Sequence, residues 1–289
     1  MSSTHNNTII VGAGPAGLLA AIFASRNGRT VIVFEKMSSP GLKLLASGGG
    51  KCNLSNTLTP DEFVSRLGKN GRFAIDAIKY FDHNKLQSFF RGIGVETTIP
   101  DRFHIYPTTY KSRNVLDAIL KECHKVGVSF HFKTKVEKIL CSDGKTSGII
   151  ANGKEIYCST LILACGGKTY SSLGGSDSGY LLAKNCGHTI VSPVPALCEI
   201  PLKENWIKSC AGISFSNIKL SIIKNSGKMD GFMQGPAVLT HLGISGPVAL
   251  DISGRISRLL YEHEKINIKF DPIPDIHSDY LIHVLNDAG

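Results

Sequence analysis

The sequence predicts an α/β fold built on a parallel sheet, with a mostly β second part following it. Three observations point there. A strand, glycine turn, helix and second strand open the chain at Thr8–Glu35, and an unbroken apolar strand, Thr160–Cys165, runs into two glycines. From Val191 onward, prolines and short strand-like runs replace helical patterning. A boundary near residue 190 is therefore expected, giving domains 1–190 and 191–289. At 289 residues, with 42% hydrophobic and 19% charged content, the chain is globular and long enough to bury a real core.

The opening unit carries the chemistry. Gly12 permits the tight turn out of the first strand, and Gly14 lets the main chain approach a pyrophosphate closely. Gly17 lets the helix pack on the strand, whose neighbours in the turn are Ala13, Pro15 and Ala16. The free N–H groups and dipole of the helix N-terminus attract phosphate charge. Glu35 ends the second strand 23 residues after Gly12, near the ~20-residue offset from which a carboxylate reaches an adenosine ribose. GxGxxG alone is a weak signal, but strand, helix and acid together supply the context that makes an adenine dinucleotide the favoured ligand.

The apolar run Ile9–Ala24 is shorter than the ~20 residues of a membrane span and holds four helix-interrupting residues. No Lys or Arg precedes it, as a secretory signal would require. A soluble, cytoplasmic protein is expected, and its eight dispersed cysteines, none in CxxC spacing, read as reduced thiols without a metal site. The net charge of +9 suits polyanionic ligands, but Lys and Arg are dispersed and no RNA-binding signature accompanies them.

The connection Met37–Thr57 reads as a long functional loop, whose glycines 48–50 expose main-chain N–H groups to a phosphate or a flat ring. Thr59-Pro60-Asp61-Glu62 is a capping box that starts a helix. Apolar spacing then predicts helices over 76–90, with a break near Asp82 and an end at Gly92 and Gly94, and over Asn114–Val126. The period next changes to that of a strand meander: Val128–Leu140, a turn at Asp143-Gly144, Gly148–Ala151, a turn at Asn152-Gly153, and Glu155–Cys165. The last of these reads as a buried central strand whose end, Ala164–Gly167, faces the cofactor. Tyr180–Cys186 is a further helix.

Gly41–Asn56, with Lys43-Leu44-Leu45 and Ser47-Gly48-Gly49-Gly50-Lys51-Cys52-Asn53, resembles the G-x-K-L-L-x-S-G-G-G-[RK]-C-N stretch of one family. Leu161–Tyr170, Gly187–Leu197 and Thr240-His241-Leu242-Gly243-Ile244-Ser245-Gly246-Pro247 look like its other blocks. This is the YhiN/BaiN-like, or aminoacetone-oxidase-like, family of FAD-dependent oxidoreductases, and the resemblance runs from the N-terminus to about Asp251. It implies a Rossmann-type FAD-binding domain, parallel sheet plus β-meander, with an inserted, mostly β substrate domain. It also implies that Gly12–Gly17 take the pyrophosphate, Glu35 and Lys36 the adenosine end, and Val136 the adenine through its main chain. Lys43 and Ser47–Asn53 would border the flavin, with Ala164, Cys165, Gly166 and Gly167 near the cofactor again. The family's G-D-G-Y stretch stands here as Asp177-Ser178-Gly179-Tyr180. Its glycine-rich segment returning to the FAD domain is not found before Gly289, so a fragment or a shortened relative is expected.

The implied activity is hydride transfer between flavin and a small organic substrate, with NAD(P)H as electron partner. The alternative is a non-catalytic dinucleotide-binding or RNA-associated accessory protein. A general base is not obligatory, because the flavin carries the electrons. Cys52 beside Lys51 is a candidate thiolate, against the favoured reading of a small packed residue. Lys51 could face phosphate or reduced flavin, or be a solvated lysine, with equal weight. His241 could move a proton, but fixing a turn is favoured. Arg102, Phe103, Tyr106 and Pro107 could line the site, although their pattern reads as loop and core.

Overall fold

The structure is a computed structural model that describes residues 6–276, apart from 143, 263 and 264. Two compact units meet at the Ile190–Val191 junction. The first begins with β1 (Asn7–Val11), α1 (Pro15–Arg26), β2 (Thr30–Phe34), α2 (Leu42–Ala46) and β3 (Ser55–Asn56). Then come α3 (Pro60–Arg66), α4 (Ile75–Tyr80), α5 (His83–Gly92), β4 (Thr97–Thr98), β5 (His104–Pro107) and α6 (Ser112–Lys125). Next are β6 (Ser129–His131), β7 (Val136–Ser142), β8 (Lys145–Ala151), β9 (Lys154–Tyr157), β10 (Thr160–Leu163) and α7 (Ser178–Asn185).

A parallel sheet in the order β10-β1-β2-β6 separates two apolar layers. The period of two along β1 sends Ile10 toward α1 and α6, where it joins Leu18, Ile22, Val115 and Ile119. Ile9 and Val11 point the other way, into a core shared with Val136, Ile139 and Ile149 of the antiparallel β7-β8-β9 meander and Leu182 of α7. Each fully buried Ile or Leu here contributes about 1.5–3 kcal/mol, so β1 anchors both layers.

The capping box and the helix break appear as expected. Thr59 accepts from the Glu62 main-chain N–H while Glu62 accepts from that of Thr59, and Asp82 caps α5. Three readings need correction. Val128–Leu140 is two strands, since Lys133 turns the chain with φ 53° between β6 and β7, which lie in different sheets. Glu155–Cys165 likewise divides into β9 and β10, because buried Cys158 anchors a corner between the meander and the parallel sheet. β10 is an edge strand among the described residues, not a central one, and Leu163 is 37% exposed. The expected turn at Asp143-Gly144 includes a residue outside those described.

The second unit holds a five-stranded sheet in the order β11-β14-β13-β12-β15. These are β11 (Ile200–Pro201), β12 (Ser214–Ile223), β13 (Met229–Leu239), β14 (Gly243–Ser245) and, after the helix α8 (Pro247–Glu262), β15 (Asn267–Asp271). Ile218, Leu220 and Ile222 of β12 pack with Val248, Ile252, Ile256 and Leu259 of α8. The sixteen-residue helix is the element that a mostly β reading of this part misses. Among the described residues no helix is long and apolar enough to cross a membrane.

One ion pair ties two helices of the first unit together. Arg26 of α1 donates to the buried Glu122 of α6 at 2.6 Å, and Lys125 stands 3.7 Å away. The Arg26 hydrogen bond holds the Glu122 carboxyl below its ordinary range against the opposing effect of burial, with Lys125 adding to it. A depressed folded-state pKa gives stability that is present above the unfolded value and lost as pH falls through the folded one. The urea midpoint should therefore drop as pH falls below the ordinary glutamate range, and Glu122→Gln should lower it at neutral pH while flattening that acid limb.

Candidate functional site

The glycine turn after β1 is built by contact. Gly12 has φ +108°, and a Cβ there would lie 2.5 Å from the Ala164 carbonyl oxygen beyond β10. A Cβ on Gly17 would stand 2.0 Å from the Gly12 oxygen, so α1 can seat against the turn only as glycine. Gly14 is different. Its φ of -76° and ψ of 176° suit any residue, and no protein atom lies within 4 Å of its missing Cβ. Gly14 also lines a cavity of about 570 Å³, together with the rest of Val11–Ala16, Phe34–Met37, Gly41–Lys43, Thr134–Val136 and Leu163–Gly167.

Charge and main-chain dipoles converge on this cavity. α1 begins at Gly14 with no side-chain cap and no acid in its first turn, so its positive end is uncompensated. Glu35 holds the turn from the opposite side: Oε2 accepts from the Ala13 N–H at 2.7 Å and Oε1 from the Met37 N–H at 2.8 Å. A carboxylate has about four lone-pair sites, which leaves two for hydroxyls of a ligand. Thr134 N–H donates to the Glu35 carbonyl at 2.9 Å, which brings Thr134, Lys135 and Val136 along the same wall.

The two lysines close the walls. Lys36 donates to Ser176 Oγ at 2.7 Å, and Lys43 to the Gly167 carbonyl at 3.1 Å. Cys165 lies on the wall, where burial pushes its thiol up, Lys36 partly offsets that, and Glu35 reinforces it. Thus Gly12, Ala13, Gly14, Pro15, Ala16, Glu35, Lys36, Lys43, Val136, Ala164, Cys165, Gly166 and Gly167 share one cavity, and Gly17 sits just behind it. Val11, Phe34, Met37, Gly41, Leu173 and Leu182 also line it but carry no polar sequence signal.

Ser47, Gly48, Gly49, Gly50, Lys51, Cys52 and Asn53 do not line that cavity. The long connection is not structureless: α2 leads from the cavity into a tight turn over Ser47–Gly50, with φ of 57° and 63° at Gly48 and Gly49. The turn closes on itself, since Lys51 N–H donates to Gly48 O at 3.2 Å and Cys52 N–H to Ser47 O at 3.1 Å. Those two amides are spent internally, while Gly48 and Gly49 stay exposed. Tyr106 on β5 lies beside the turn, its ring 3.8 Å from the Cβ position of Gly48. Cys52 is fully buried in the core with Ala13 and Leu44, and desolvation raises its thiol against a hydrogen bond from Ser47. That environment opposes a thiolate and matches a packed residue.

His241 lies in the second unit and is exposed. Thr240, rather than His241, fixes its turn, accepting from the N–H groups of Leu242 at 3.2 Å and Gly243 at 3.0 Å. No group of three or more His, Cys, Asp or Glu suited to a metal ion occurs among the described residues.

Comparison with known proteins adds a lineage to this geometry. Residues 6–246 match the profile of the HI0933-like protein Rossmann domain. The chain is 30% identical over 283 residues to the 3-dehydro-bile acid delta(4,6)-reductase of Clostridium scindens, covering 97% of this chain and 68% of that protein. It is 28% identical over 254 residues to the ribosomal RNA dihydrouridine synthase of Escherichia coli, covering 86% of this chain and 60% of the relative. The chain thus spans about two thirds of the length of these curated relatives. Among solved structures, a 3-ketosteroid-delta4-(5alpha)-dehydrogenase from Rhodococcus jostii superposes with a TM-score of 0.52 at 17% identity, over 91% of this chain and 65% of that one. At that identity the likeness shows the fold alone.

The different surroundings of the turn glycines separate packing from binding. Gly12→Ala should cost at least about 1–3 kcal/mol, because a methyl would meet the Ala164 carbonyl. Gly14→Ala should change stability by less than about 0.5 kcal/mol, since nothing in the protein contacts that direction. Urea unfolding of both variants checks the contrast.

Proposed function

The chain belongs to the HI0933-like family of FAD-binding Rossmann proteins, and from that premise we propose a flavin-dependent reductase acting on a small molecule with a carbon–carbon double bond conjugated to a carbonyl. The observation that carries the cofactor assignment is the open side of Gly14. A glycine that neither packing nor φ requires stands at the uncapped N-terminus of α1 and lines the 570 Å³ cavity, which leaves room for a diphosphate.

In this reading the amides of the α1 N-terminus receive the pyrophosphate, and Glu35 accepts from the adenosine ribose hydroxyls with its two remaining lone-pair sites. The Thr134–Val136 main chain flanks the adenine. Lys36 and Lys43 hold the facing wall in place through Ser176 and Gly167. The exposed glycines of the turn after α2, with Tyr106 beside them, offer a flat surface toward the flavin end. FAD bound there supplies two-electron hydride chemistry, with NAD(P)H as the source of the electrons. Buried Cys52 packs behind the turn and exchanges no proton.

The substrate class follows from what two relatives share. One by name reduces a 3-dehydro-bile acid and the other makes dihydrouridine; both reactions saturate a double bond conjugated to a carbonyl. The bile-acid reductase match is the longer and stronger of the two, which favours a small-molecule substrate. A uridine within RNA is the second reading, favoured by the dihydrouridine synthase relative and the net charge of +9.

Purified chain should be yellow or become so with FAD, and anaerobic NADPH should bleach it until a conjugated enone restores the colour. Bound flavin that no nicotinamide reduces would leave a non-catalytic dinucleotide-binding protein. Gly14→Ala should keep its unfolding midpoint yet bind FAD at least about tenfold more weakly, a loss of ~1.4 kcal/mol, measured by flavin fluorescence titration.

A further inference from the structure

All eight cysteines are free, and among the described residues one pair brings its sulfurs into contact. Cys141, the next-to-last residue of β7, and Cys186, the residue capping the C-terminus of α7, place their Sγ atoms 3.6 Å apart. Cys141 is exposed and Cys186 is half-buried, whereas Cys52, Cys123 and Cys158 are buried. We propose that Cys141 and Cys186 form a redox modification site, closing to an intrachain disulfide when the protein meets a peroxide.

The geometry favours closure. Bringing the sulfurs from 3.6 Å to the bonded distance of about 2.05 Å needs a combined movement of about 1.5 Å, within side-chain rotation. Both elements are already held on one core, where Val136 and Ile139 of β7 pack with Leu182 of α7 and Cys186 lies against the same cluster. Exposure sets the order of events. The Cys141 thiolate attacks the peroxide, breaking the O–O bond, so that a sulfenic acid forms and water leaves. Cys186 then attacks that sulfur: the S–S bond forms, the S–O bond breaks, and the hydroxyl departs with the Cys186 proton as a second water. Two thiols give up two electrons and one peroxide accepts them. Burial and the neighbouring sulfur push the Cys186 thiol up, in keeping with the resolving role.

The bond would pin two of the elements that wall the cavity. β7 contributes Val136 to its lining, and α7 contributes Ser178 and Leu182. The loop closed between the sulfurs spans a sequence separation of 45 residues, long enough for a cross-link to restrict the unfolded chain substantially. The site stands whether or not FAD is bound.

The test uses the full chain, reduced and freed of reductant, then treated with a stoichiometric amount of hydrogen peroxide. Intact mass spectrometry should show a loss of about 2 Da, and peptide mapping after alkylation a Cys141–Cys186 linked peptide with both cysteines unlabelled, reversed by dithiothreitol. The oxidised chain should unfold several degrees higher than the reduced one. Cys186→Ser should abolish both the cross-link and the thermal shift, leaving Cys141 as sulfenic acid or alkylated thiol; Cys141→Ser should leave Cys186 unoxidised. Peroxide that yields links between chains, a different cysteine pair, or only over-oxidised Cys141 in the wild-type chain would overturn the proposal.

Discussion

The crossing of three main-chain segments at Gly12 governs the first unit. β1 ends there between β10 and β2, with the Gly12 N–H bonded to the Phe34 carbonyl at 2.8 Å and the Ala164 carbonyl standing where a Cβ would be. α1 then folds back against the Gly12 oxygen through the bare face of Gly17. Side chains at either position would separate the helix from the sheet, and the helix tip would no longer face the cavity. The same crossing spaces the walls, because Val11 and Phe34 precede it, Ala164–Gly167 follow β10, and Gly41 donates its N–H to the Ala13 carbonyl at 2.9 Å.

Electrostatics complete what the crossing begins. The turn carries a helix terminus with no side-chain cap, and the Glu35 carboxylate lines the same cavity. Glu35 first spends one lone pair of each oxygen on the Ala13 and Met37 amides, which fixes its orientation before any ligand arrives. Lys36 and Lys43 are committed to Ser176 and Gly167. The anion would thus be held mainly by fixed amides rather than by mobile ammonium groups, a preorganised arrangement with little ordering entropy left to lose.

Much of this was legible in the sequence, and the reasons differ by element. β1, α1 and β2 show because glycine spacing, period-two burial and a terminal acid are all local signals. The capping box at Thr59 and the cap at Asp82 are local as well. What failed is non-local. Lys133 and Cys158 split two apparent strands between different sheets, and no periodicity records a change of sheet partner. β10 is apolar enough to read as central because Leu161 and Ile162 pack on opposite layers, yet it stands at the edge. In the site, glycines and Glu35 were visible as polar or backbone signals, while Phe34, Met37 and Leu182 are ordinary apolar residues until the fold turns them to the cavity. Cys52 shows the converse, a residue whose neighbours in sequence suggest reactivity and whose neighbours in space bury it.

The central claim is that the cavity at the glycine turn recognises the ADP half of FAD, with the flavin end contributing less. Calorimetric titration of the chain with ADP, FAD and riboflavin separates these contributions directly. Measurable ADP binding that competes with FAD, together with weak or absent riboflavin binding, is the predicted result. Riboflavin binding as tightly as FAD, with ADP failing to compete, would contradict it.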